Sequence, residues 1–94
     1  MIDKNIKLLK ILVVAGGWSD EREVSLMSGR NVFSTLKRDK FNVIFLDIKK
    51  TNIDQILIFK PDIIFNSLHG EFGEDGGINS YAQKNNILIT HSGA

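Results

Sequence analysis

Cysteine is absent from this sequence. That removes disulfides, thiolate metal ligands and thiol nucleophiles together, and it suits a reducing cytosol. Neither sign of charge is in excess: 12 basic residues face 11 acidic ones, for a formal net charge of +1. Nothing in that balance argues for a nucleic-acid or membrane partner. No apolar run reaches the ~18 residues of a membrane span. Met1 to Lys10 alternates charged and apolar residues where a signal peptide would hold an apolar core. A cytoplasmic location is expected. What the chain does have is 43% hydrophobic residues within 94, enough for one domain with one core. Repeats and low-complexity tracts are missing, and no linker divides it.

The hydrophobic pattern alternates between strand and helix. Lys10 to Ala15 is rich in β-branched residues and closes on Gly16-Gly17, which predicts a first strand. A helix follows from about Glu23 to Arg38, with Leu26, Gly29, Phe33 and Leu36 on one face and Asp20 and Glu23 as a capping pair. Asn42 to Ile48 predicts a second strand. Thr51 or Asn52 then caps a short helix carrying Ile53, Ile56, Leu57 and Phe59. The only proline, Pro61, ends that helix. Ile63 to Leu68 predicts a third strand. A third helix holding Ile78, Tyr81 and Ala82 starts after Gly76-Gly77 and stops at Asn85-Asn86, and Ile87 to Thr90 predicts a fourth strand. This order implies an α/β fold: an open, four-stranded parallel sheet with helices on both faces and right-handed crossovers, Rossmann-like in outline. With strand order 2-1-3-4, the switch point lies between the first and third strands. Ligands of open α/β sheets bind there, outside the strands' carboxyl ends.

Those two strands run into unusual loops. The first is Gly-Gly-Trp-Ser-Asp-Glu-Arg-Glu-Val-Ser, residues 16–25; the second is His-Gly-Glu-Phe-Gly-Glu-Asp-Gly, residues 69–76. The topology would bring Glu21 and His69 to neighbouring lips of one crevice. The paired glycines do not form a G-x-G-x-x-G fingerprint or a P-loop. Asp20, Glu21 and Glu23 at a helix start would repel a phosphate that such a terminus otherwise welcomes. An amine or a zwitterion fits better, although for any one of these acids taken alone capping and dipole complementarity are the more ordinary account. His69 can donate to a carboxylate, or it can simply bond a backbone carbonyl. Gly70, Gly73, Gly76 and Gly77 exceed what a plain turn needs and imply a loop whose backbone approaches something closely. His69, Glu71, Glu74 and Asp75 match neither H-E-x-x-H nor the EF-hand spacing, so no metal site is expected in this chain. A Ser-His-Asp triad is not expected either, since no serine sits at a G-x-S-x-G elbow.

GGWSDEREVSLMSG, then NSLHGEFGEDG, then ITHSG resembles the N-terminal domain of D-alanine–D-alanine ligases, from about Lys10 to Ala94. The resemblance implies a pre-ATP-grasp domain over residues 1–94 that binds D-alanine, with the family's central and C-terminal ATP-grasp domains absent from this chain. It implies a cytoplasmic ligase that uses ATP and Mg²⁺ (or Mn²⁺) to join two D-alanines for peptidoglycan, and hence for cell-wall biogenesis and cell shape. It also implies a homodimer. Carried over by motif, Glu21 and His69 are the catalytic-site residues: Glu21 receives the ammonium of the first D-alanine, and His69 lies near its carboxyl group. Val24 and Ser25 line the same subsite. Gly16, Gly17, Gly70, Glu74, Asp75 and Gly76 support the loops. The family's ligands for ATP and metal lie beyond the four residues that end this chain, so the 94-residue chain alone is expected to be inactive. Gly77 departs from the family pattern, which places a residue with a β-carbon there. The alternative is a stand-alone, non-catalytic α/β module that binds a small ligand or assembles with a partner. The residues do not distinguish D-alanine, D-lactate or D-serine as second substrate.

Overall fold

The first strand is apolar at every position from Ile11 to Ala15 because both of its neighbours and both of its faces are covered. The computed structural model describes residues 8–70 and 77–91. In it, β1 (Lys10–Gly16), β2 (Asn42–Ile48), β3 (Ile63–Asn66) and β4 (Leu88–His91) form one sheet in the order β2-β1-β3-β4. Every pairing is parallel: Val13 is opposite Phe45 on one side and Phe65 on the other, and Phe65 in turn is opposite Thr90. β1 is therefore central, and Ile11 through Gly16 are all buried.

Among the described residues, the helices that pack on the sheet are α1 (Arg22–Arg38), α2 (Gln55–Phe59) and α3 (Gly77–Lys84). The chain steps from β1 to β2 in one direction and then from β2 to β3 and β4 in the other. Crossovers of a common hand must then put α1 on one face and α2 with α3 on the opposite face. The cores divide accordingly. Leu12, Val14, Leu46, Ile48 and Ile64 meet Ile56 of α2 and Ile78 and Ala82 of α3. Ile11, Val13 and Val43 meet Val32, Phe33 and Leu36 of α1. Gly29 lets α1 lie low on the sheet, since a Cβ there would stand 2.5 Å from the Ala15 Cβ.

Several expected boundaries shift for local reasons. β3 stops at Asn66, two residues early, because the Asn66 Oδ1 accepts the Leu68 N–H at 2.9 Å and turns the chain. The Ser67 N–H still reaches the Val14 carbonyl at 2.9 Å. β4 runs one residue later than expected, Leu88–His91. α2 is capped by neither Thr51 nor Asn52. Asn52 instead accepts the Lys49 N–H at 2.7 Å and donates to the Asp47 carbonyl at 2.9 Å, which closes a turn ahead of the helix. Each of these three helices is followed within two residues by a left-handed residue that is not glycine: Lys40 (φ 69°), Lys60 (φ 51°) and Asn86 (φ 58°). Only the asparagine is a residue type that enters this conformation readily.

Candidate functional site

The carboxyl ends of β1 and β3 lie side by side, and the loops that leave them are joined by two serine hydroxyls. The deeper joint is Ser25, on the first turn of α1. It is fully buried. Its Oγ accepts the Gly16 N–H at 2.8 Å and donates to the Ser67 carbonyl at 2.7 Å. The outer joint is Ser19, whose Oγ accepts the Glu21 N–H at 3.1 Å and donates to the His69 carbonyl at 2.8 Å. The main chains at Glu21 and His69, 48 positions apart in sequence, are thus bound to one oxygen atom.

Glu21 is the N-cap residue of α1, its side chain makes no capping hydrogen bond, and it is exposed. The Asp20–Glu23 capping pair does not form: the helix starts one residue later than that pair requires, and Ser19 takes the terminal N–H instead. Val24 is also exposed at this end of the helix. Ser25 was expected to line the subsite and does not reach the crevice surface. Its hydroxyl is already committed to Gly16 and Ser67, which makes it the fastening beneath the site. His69 is half-buried in the loop that follows β3.

The first loop carries its own brace. Gly16 (φ 95°) and Gly17 (φ 78°) both need the left-handed region. A Cβ on Gly16 would run into the Asp47 carboxylate. That carboxylate, near the end of β2, holds Arg22 by two bonds of 2.8 and 2.7 Å. Arg22 also donates to the Gly17 carbonyl at 3.1 Å. The hydrogen bond to Asp47, and then its charge, raises the Arg22 pKa against the opposing effect of desolvation. The Gly17 N–H bonds the Ile48 carbonyl at 2.9 Å, and the Lys50 ammonium stands 5.6 Å from the centre of the half-buried Trp18 ring. In the second loop Gly70 (φ 78°) faces Ser19. Glu74, Asp75 and Gly76, expected as loop support, lie outside the described residues, as does Glu71. Gly77 is the first residue of α3.

Sequence reasoning missed Ser19 and Asp47. Ser19 had a signal, because a serine two residues before an exposed N–H makes a local turn. Asp47 had another: it is the one acid in the otherwise apolar run Val43 to Ile48, where a half-buried carboxylate needs a cation.

The class of protein is thereby defined: a parallel α/β domain that carries an exposed carboxylate, Glu21, and a half-buried imidazole, His69, in the loops leaving the carboxyl ends of its neighbouring strands β1 and β3. A family described as "D-ala D-ala ligase N-terminus" matches residues 10–57, and the chain belongs to that family. It is 43% identical over 83 residues to the D-alanine--D-alanine ligase of Parvibaculum lavamentivorans, an alignment covering 88% of this chain and 27% of the relative. The solved D-alanine--D-alanine ligase of Bacillus anthracis complexed with ATP superimposes with a TM-score of 0.75 at 26% identity, over 87% of this chain and 28% of that one. The VanG D-Ala:D-Ser ligase of Enterococcus faecalis does so with a TM-score of 0.68 at 26% identity, over 86% and 35%. The chain spans about a quarter of the length of the curated relatives it matches.

Proposed function

We propose that this chain is the N-terminal, D-alanine-binding domain of an ATP-dependent D-alanine–D-alanine ligase, with Glu21 and His69 holding the first D-alanine. The observation that carries this reading is the Ser19 hydroxyl, which binds the main chains of both residues at 3.1 and 2.8 Å. A zwitterion needs an acceptor-only carboxylate for its ammonium and a donor for its carboxylate, and these two side chains supply them. Val24, exposed beside Glu21, offers an apolar wall for a methyl group. Family membership favours the ligase over a stand-alone binding module.

The start of α1 does not fit the phosphates of ATP, because Asp20, Glu21 and Glu23 set negative charge at the helix end a phosphate would use. The reading therefore assigns nucleotide and Mg²⁺ (or Mn²⁺) to the family's ATP-grasp domains and leaves this domain to orient the first substrate. It predicts no ligase activity for the 94-residue chain alone. A homodimer, a cytoplasmic location and a part in peptidoglycan synthesis follow from the same reading. Among the described residues no helix is long and apolar enough to cross a membrane.

The test is steady-state kinetics on a full-length ligase carrying this domain. Glu21→Gln keeps the shape and removes the charge. A hydrogen bond to a charged group contributes about 1.5–3 kcal/mol net, so KM for the first D-alanine should rise roughly tenfold or more. His69→Ala should impair turnover and first-substrate KM while sparing the melting temperature. Unchanged kinetics in both variants, with the fold intact, would reduce Glu21 to a helix-end acid and His69 to a packed loop residue.

A further inference from the structure

Ser19 has a hydroxyl that both donates and accepts a hydrogen bond, and a glycine is pressed against it. Its proton goes to the His69 carbonyl at 2.8 Å, and its oxygen receives the Glu21 N–H at 3.1 Å. Gly70 closes the joint from the second loop: at φ 78°, any Cβ there would lie 2.6 Å from both the Cβ and the Oγ of Ser19. The other hydroxyl between the loops, that of Ser25, binds Gly16 and Ser67, deeper in the fold and before the chain reaches Glu21 or His69. Ser19 is thus the described contact that ties the Glu21 and His69 main chains directly to each other.

We propose that Ser19 is a positioning residue. By fixing those two main chains to one atom it sets the span between an acceptor carboxylate and a donor imidazole, and so the length of zwitterion that the crevice accepts. This inference rests on the roles given above to Glu21 and His69. Ser19 acts through them and touches no substrate itself. Without its hydroxyl the two lips stay attached through Ser25, but their separation is free to vary.

A double-mutant cycle on a full-length ligase carrying this domain decides the matter. Ser19→Ala, His69→Ala and the pair are compared for first-substrate KM, kcat and melting temperature. Loss of one or two ordinary hydrogen bonds should raise KM for the first D-alanine about three- to tenfold. If Ser19 acts by placing His69, the same substitution in the His69→Ala background should raise KM by less than about twofold. Discrimination between D-alanine and the longer zwitterion β-alanine should narrow in Ser19→Ala. An equal KM penalty in both backgrounds, accompanied by a lower melting temperature, overturns the proposal, because a purely structural serine behaves that way. Gly70→Ala pushes on Ser19 from the opposite loop and should reproduce the same KM pattern; it is the variant to read if Ser19→Ala does not fold. If His69→Ala alone leaves first-substrate KM unaltered, the site assignment fails and this inference with it. If His69→Ala is damaging while Ser19→Ala and Gly70→Ala are harmless, only the positioning role fails.

Discussion

The loops after β1 and β3 leave the same edge of the sheet, yet they are held in different ways. The first is braced by its own surroundings: Arg22 is bound twice by Asp47 and once more to the Gly17 carbonyl, and the Gly17 N–H is bonded to β2. In the described part of the second, the carbonyls of Ser67 and His69 are both fastened to serines of the first loop and its helix. Loss of either serine should therefore be felt in both loops, and loss of Arg22 in the first.

The largest expected effect comes from cutting the deeper fastening. Ser25→Ala leaves the buried Gly16 N–H and Ser67 carbonyl without their partner and should destabilise the chain by about 3 kcal/mol in urea unfolding. A loss of a few tenths would mean that the loops are held chiefly by packing and that the comparison is wrong. Arg22→Met should act on the first loop alone. Arg22 and Asp47 are each about one-third exposed, so the melting temperature should fall modestly and the difference should shrink in concentrated salt. The smallest effect is expected at the far end of the second loop, on α3. Burial pushes the Tyr81 phenol above its ordinary value of 10, and the negative charge of Asp54 adds to the shift. The unfolded chain then ionises first, so the stability tied to this group is complete below pH 10 and is lost as pH rises through the raised folded value. Tyr81→Phe should flatten that alkaline decline in a pH series of thermal melts and leave the neutral-pH melting temperature nearly unchanged.

The architecture was legible because it depends on long-range regularities. Apolar runs at Ile11–Ala15 and Ile63–Leu68, a helical face through Leu26, Gly29, Phe33 and Leu36, and the hand of the crossovers together suffice for the sheet and its switch point. The ends of elements were harder, because they depend on single side chains with several equivalent uses. Asn52 can cap a helix or close a turn, and here the carbonyl of Asp47 decided for the turn. Lys40 and Lys60 enter the left-handed region without any compositional sign of it, where main-chain bonds from their N–H groups to the Lys37 and Leu57 carbonyls close the helix ends. Within the site, the motifs marked Glu21 and His69, but the sequence spoke of side chains that face a ligand. It was less informative about Ser19, Ser25 and Asp47, whose partners are backbone groups and one arginine that only the folded chain brings near.

Trp18 lies between the braced Gly17 and the bridging Ser19, with the Lys50 ammonium 5.6 Å from the centre of its ring. It is also the chain's single tryptophan. Tryptophan emission, excited at wavelengths the single tyrosine, Tyr81, does not absorb, therefore comes from the loop after β1 alone and reads the surroundings of that loop without a label.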